Sequence, residues 1–312
     1  MAKTIRIYAG DGALKMCASG VEHMMQRIFN EQSGKQSGKG GGRSFGTTHI
    51  RFIDSHEMIS TTSHWQDSTD LLVFSGGGVT AFKKALGVEG VKAIQAYVAN
   101  GGHYLGLCAG AYFGAADIHF TGRDWKTGHI YTKQNTGLGF FNGLARGSVD
   151  AVAPTYDGTS ATCAVTDVLL CGADDDVTVP FNVWAVQPSL TEEQTPSIVP
   201  VFYGGGPEFA PAKDAGSHTN TPYYILSYYT NDTATPARSI AGVSCPVGTK
   251  GGQATLISWH PELDPVFLSE WMRGGHEDEG RNRLKLARQI ASRGAGGRSP
   301  QEWLGRILKQ SL

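Results

Sequence analysis

The chain has 312 residues, 40% of them hydrophobic and 18% charged, which is enough apolar residue for a substantial core and too much for intrinsic disorder. With 27 Lys and Arg against 28 Asp and Glu, the formal net charge of −1 argues against the basic footprint of a nucleic-acid binder and against a polybasic membrane surface. Five cysteines with no regular spacing and no CxxC pair argue against a disulfide framework and a structural zinc site. Glycine is abundant, at 42 residues, and its GG and GGG clusters mark turns where backbone comes close to something else.

The first segment, MAKTIRIYAG, enters a strand over Thr4–Tyr8 without a long apolar stretch before it, so no secretory signal is expected. No apolar run approaches the length of a membrane-spanning helix, and the expected location is cytoplasmic. Val21, Met24, Met25 and Ile28 share one helical face, predicting a helix over Val21–Asn30. SGKQSGKGGGRS (33–44) reads as a surface loop. Its lysine is followed by Gly40 rather than Ser or Thr, and its spacing is one residue short, so it is not a phosphate loop. Strands are predicted at His49–Asp54 and Asp70–Ser75, a helix over Glu89–Asn100, and a fourth strand at His103–Leu107.

Strands alternating with helices predict an α/β fold with an open parallel sheet covered on both faces. The stretch from about 116 to 250 is richer in Gly, Thr, Asp and Pro and reads as a β-rich insertion, with strands at Ala164–Leu170, Phe181–Val186, Val199–Tyr203 and Tyr223–Tyr229. A further apolar strand, Gln253–Trp259, ends at His260-Pro261-Glu262. Residues from about 276 to 312 form a helical tail. There Leu284, Ala287 and Ile290 share a face, and Ser299-Pro300-Gln301-Glu302 reads as a capping box. The whole of 1–312 is expected to be a single domain.

Three short segments carry chemistry. Gly106-Leu107-Cys108-Ala109-Gly110 has the G-x-C-x-G form of an elbow, which lifts a nucleophile out of a strand end while small neighbours keep the turn sterically possible. A helix opening at Ala109 would favour the thiolate through its free N–H groups. A small buried cysteine also fits that position when it is taken alone. His260 and Glu262 add what such a cysteine needs: a base, and a carboxylate to orient it. Ser75-Gly76-Gly77-Gly78 follows a hydrophobic strand, and glycines there can bring an N–H toward a developing oxyanion, with the Ala109 N–H as its partner.

SGGG, GLCAG and HPE in this order resemble the class I glutamine amidotransferase-like superfamily. VFSGGG, YLGLCAGAYFG, the FNG at 141–143, FYGGGPEF and ISWHPEL together resemble the amino-terminal domain of eukaryotic-type biotin–protein ligases, over about Ile5–Glu270. The resemblance implies a flavodoxin-like sheet, Cys108 as nucleophile, His260 as base, Glu262 as orienter, and a second glycine-rich wall from Tyr203, Gly204 and Gly205. The ligase catalytic domain should carry a GRGRxGR-like loop and a KWPND-like segment, and neither occurs here, so biotin ligation is not expected.

The expected activity is cysteine-dependent hydrolysis or amide transfer on a carboxamide or other C–N bond of a small-molecule or peptide-like substrate. A separate partner protein would be needed for a complete amidotransferase. The alternatives are a non-catalytic binding module on the same fold and a cysteine peptidase of similar fold. No cofactor, metal, nucleic acid or membrane is expected. HIRFIDSHE (49–57) and Asp174–Asp176 lack metal-ligand spacing, and Cys17, Cys163, Cys171 and Cys245 read as structural thiols.

Overall fold

A computed structural model describes residues 2–30, 48–171, 197–212, 222–230, 239–293 and 299–312. The first third alternates as β1 (Lys3–Tyr8), α1 (Lys15–Asn30), β2 (Thr48–Ile53), the short α2 (Ser55–Ile59), β3 (Leu71–Phe74), α3 (Val79–Ala99), β4 (His103–Leu107) and α4 (Ala109–Gly114). A run of strands follows: β5 (Ala115–Arg123), β6 (Ile130–Thr136), β7 (Phe141–Gly147), β8 (Ala164–Leu170), β9 (Ser197–Tyr203), β10 (Glu208–Pro211), β11 (Tyr224–Tyr229), β12 (Ile240–Val247) and β13 (Gly252–Ile257). Three helices close the described chain: α5 (Pro265–Arg273), α6 (Glu277–Arg293) and α7 (Pro300–Ser311).

The sheet has a parallel half in the order β2-β1-β3-β4-β13. This is the flavodoxin-like 2-1-3-4-5 arrangement, with β13 as the fifth strand, and it places the binding crevice at the carboxyl ends. Beyond β13 the pairing turns antiparallel at β12. From there the sheet continues through β10, β7, β5 and β6, with β11, β8 and β9 branching off. The β-rich insertion therefore extends the same sheet.

The pleat explains why the central strands read as unbroken apolar runs. In β3, Leu72 and Phe74 pack on the side of α3 and α4, with Phe82, Tyr104 and Phe113. Leu71 and Val73 pack on the opposite side, with Met24, Met25, Trp259 and Trp303 from α1, the β13 exit and α7. Alternate side chains thus feed two cores. At the end of the chain Ser299 caps α7, accepting from the Gln301 N–H at 3.3 Å.

Some expectations shift, beginning with the first helix, which was expected over Val21–Asn30 and starts at Lys15. The helix expected at Glu89 starts at Val79, because Gly87 (φ +59°) interrupts the dihedrals inside it and hides its first two turns. The strands expected within the described residues lie at or near their predicted bounds, but β5, β6, β7, β10 and β12 were not foreseen. β6, IYTKQNT, is largely solvent-facing and offers little alternation to read. The loop at 33–44, the strand at Phe181–Val186 and Asp174–Asp176 lie outside the described residues. No helix among the described residues is long and apolar enough to cross a membrane.

Phe74 is the hub of the first core. It stacks on Tyr8 at 4.5 Å between centroids and meets Phe82 and Phe113 at 5.4 Å and Tyr104 at 5.8 Å. Phe74→Ala should cost about 3–5 kcal/mol in urea unfolding. Trp125→Ala, at a side chain that is 64% exposed, should stay within about 0.5 kcal/mol of wild type. Equal effects would contradict this assignment of the core.

Candidate active site

The elbow is built from backbone. β4 ends at Leu107 and α4 begins at Ala109, so the chain reverses within one residue, and Cys108 takes φ +51°, ψ −105°. An L-residue with positive φ costs on the order of 1–3 kcal/mol unless its surroundings hold it. Here the Cys108 N–H donates to the Ile257 carbonyl at 2.9 Å, and its carbonyl accepts from the Tyr112 N–H at 3.1 Å. The next turn is pinned by the Gly110 N–H donating to the Ser75 carbonyl at 3.2 Å. The flanking glycines answer a steric need: a side chain at Gly110 would strike the Phe74 carbonyl, and one at Gly106 would strike Gly110 itself.

His260 and Glu262 leave the neighbouring strand, β13, over the same edge. The His260 N–H donates to the Phe202 carbonyl at 2.9 Å, tying this turn to the end of β9. Its Nδ1 lies 2.7 Å from Glu262 Oε1, and Glu262 is fully buried while His260 is 6% exposed. Burial by itself lowers the imidazole's proton affinity. The Cys108 sulfur, the Glu262 carboxylate and hydrogen bonding to the Cys108 and Cys17 thiols more than offset that, holding His260 well above the usual histidine range. Glu262 Oε2 takes no hydrogen bond among the described residues.

The predicted glycine-rich segments divide in their placement. Gly76 packs directly on the site: a Cβ there would stand 2.8 Å from Cys17 Sγ and 3.0 Å from His260 Cε1. Gly77 bridges to Ala13. Among the described residues, no backbone carbonyl accepts from the N–H of Gly77 or of Ala109. Gly78 stands at the N-terminus of α3, where a Cβ would meet no atom within 4 Å, and its N–H donates to the Gly12 carbonyl at 2.9 Å.

On the other wall the Gly204 carbonyl accepts from the Cys108 thiol at 3.6 Å, and a Cβ on Gly204 would come within 3.2 Å of His260 Nε2. Gly205 (φ +82°) turns the chain over the Tyr156 ring, and its carbonyl accepts from the Tyr112 hydroxyl at 3.1 Å. Tyr203 is a strut: its hydroxyl accepts from the Val149 N–H at 2.7 Å and donates to the Gly206 carbonyl at 2.9 Å. Beneath this cover Cys108 is 7% exposed. A cavity of about 250 Å³ opens on the far side of His260, among Phe202, Trp259, Pro261 and Leu263, and Cys108 is not in its lining.

Sequence reasoning missed Cys17, which was expected to be a structural thiol. It lies in the first turn of α1, buried against His260, and burial pushes its thiol up despite the hydrogen bond to the imidazole. The donor atoms of Cys17, His260 and Glu262 all lie within 4.8 Å of one another. The β1–α1 turn opens on the same carboxyl edge as the elbow, so topology, rather than any local motif, could have found it. Elsewhere Cys163 is pushed up to about 11, mainly by burial. In HIRFIDSHE, Glu57 pairs with Arg6 at 2.7 Å.

A family model described as the biotin-protein ligase N-terminal family matches residues 47–295. An uncharacterized protein of Chlamydia muridarum is 39% identical over 100 residues, 32% of this chain and 37% of that one. A biotin–protein ligase of Schizosaccharomyces pombe is 33% identical over 109 residues, 35% of this chain and 16% of the ligase. The matches thus span well under half the length of either curated relative. Among solved structures, a candidate GMP synthase component from Thermoplasma acidophilum aligns with 94% of this chain and 98% of its own, at 15% identity and a TM-score of 0.38.

Glu262→Gln keeps the shape but removes the charge that helps to hold the imidazole protonated. The His260 titration, followed by NMR on isotope-labelled imidazole, should move to lower pH, because burial then meets less opposition. An unmoved titration would show that Glu262 does not set the state of His260.

Proposed function

Taking as premise that the chain belongs to the biotin-protein ligase N-terminal family, we propose that it is a cysteine-dependent hydrolase or amide-transfer enzyme acting on a carboxamide or other C–N bond, with Cys108, His260 and Glu262 as the catalytic residues. The observation that carries this reading is the convergence of a strained elbow cysteine and a buried, carboxylate-held imidazole on one sheet edge. A structural thiol has no need of a positive φ.

In this reading the Cys108 sulfur attacks the carbonyl carbon, and the oxyanion is met by the Gly77 and Ala109 N–H groups. Protonated His260 donates from Nε2 to the departing nitrogen, the C–N bond breaks, and a thioester and a free amine remain. Neutral His260 then takes a proton from water as its oxygen attacks the thioester. The acyl carbon–sulfur bond breaks, the carboxylic acid leaves, and Cys108 is released as a thiolate beside the newly protonated His260. Glu262 holds the Nδ1 tautomer throughout. Gly204 matters because its missing side chain leaves Nε2 approachable. The substrate is a small-molecule or peptide-like amide, and transfer of the released amine to an acceptor would require a partner protein.

One observation favours the non-catalytic binding module: the Gly204 carbonyl covers the thiol. Labelling with an electrophilic carboxamide analogue, such as a chloroketone glutamine analogue, separates the two. Under the hydrolase reading Cys108 is modified stoichiometrically near pH 7, with the rate falling at least tenfold in His260→Ala and in the presence of competing amides. A folded protein whose Cys108 stays unmodified would sink the enzyme reading and leave the binding module.

A further inference from the structure

We propose that Cys17, His260 and Glu262 form an inhibitory site for a thiophilic divalent cation of the zinc class. The donor set is sulfur, imidazole nitrogen and carboxylate oxygen, the combination that zinc binds in proteins. All three residues are buried, and their donor atoms lie within 4.8 Å of one another. A tetrahedral ion with bonds of about 2.0–2.3 Å spaces its donors roughly 3.3–3.8 Å apart. Side-chain rotation must therefore close the wider gaps and open the 2.7 Å contact between His260 Nδ1 and Glu262 Oε1 wherever those two atoms are the donors.

Two independent features point to a ligand. Glu262 Oε2 is wholly buried and unpartnered, an expensive state for a carboxylate oxygen that a cation would relieve. Gly76 leaves bare the space between the Cys17 sulfur and the imidazole ring, which even a methyl group would fill. Sequence spacing could not reveal the set, because its members come from the two ends of the chain.

Binding exchanges protons for the metal. Cys17 gives up its thiol proton, and His260 gives up the proton it holds as an imidazolium, while no electrons move. The ion then holds Glu262 away from its orienting role and occupies the imidazole that Cys108 needs. The site itself stands on the geometry, and its inhibitory consequence rests on the hydrolase reading. Cys108 is outside the group of mutually close donors, so the metal does not depend on the nucleophile.

Cobalt(II) serves as the spectroscopic probe. The reduced full chain should bind one equivalent with a thiolate-to-cobalt absorption band that zinc displaces. The band should persist in Cys108→Ser and disappear in Cys17→Ser. No band, a band that survives Cys17→Ser, or one lost in Cys108→Ser would overturn the site. Thermal melting of the wild type supplies a measure that needs no variant: micromolar zinc should raise Tm, and an unchanged or lowered Tm would contradict the site. Because Cys108→Ser reports binding without activity, failure of the hydrolase reading and failure of the metal site are separately visible.

Discussion

The buried pair of His260 and Glu262 is the constraint on which the rest of this structure depends. Burying an imidazole and a carboxyl 2.7 Å apart, with almost no water around them, is costly unless the bond between them is kept and the elements around them stay closed. The fold meets that demand with backbone. The Phe202 carbonyl holds the His260 N–H, while Gly76 and Gly204 present bare backbone to either side of the ring. A bulkier residue at either position would force the imidazole away from its carboxylate or its cysteine.

The elbow answers the same constraint from the neighbouring strand. β4 and β13 run parallel and in register from His103 against Gln253 to Leu107 against Ile257, so their exits deliver Cys108 and His260 side by side. The strain at Cys108 is held by bonds to Ile257 and by α4, whose own turn is anchored on Ser75 at the end of β3. Three neighbouring strands of the parallel half, β3, β4 and β13, thereby each contribute one piece of the site, and the aromatic core around Phe74 keeps them aligned.

Much of this was legible from sequence because the relevant signals are local. A continuous apolar run such as LLVF ending in glycines marks a doubly covered parallel strand, and G-x-C-x-G marks a turn that other residues cannot make. Other parts were not legible, for separate physical reasons. β6 carries its pairing in backbone hydrogen bonds while most of its side chains face water, so hydropathy says little about it. α3 runs through a glycine with non-helical dihedrals, which disguised its start. Cys17 belongs to the site only through topology: nothing around it in the chain distinguishes it from a core thiol, and its partner imidazole lies at the far end of the sequence.

If Cys108 forms a covalent acyl intermediate while expelling nitrogen, intact-mass measurement after an acid quench reveals it most directly. The folded, reduced chain would be mixed with primary carboxamides and with amide-bearing peptides, and both the protein mass and the released ammonia or amine would be recorded over time. The predicted result is an acyl adduct mapped to Cys108, a matching equivalent of released nitrogen, and neither in Cys108→Ser. Nitrogen release that continues unchanged in Cys108→Ser, or no adduct and no release across the panel, would contradict it.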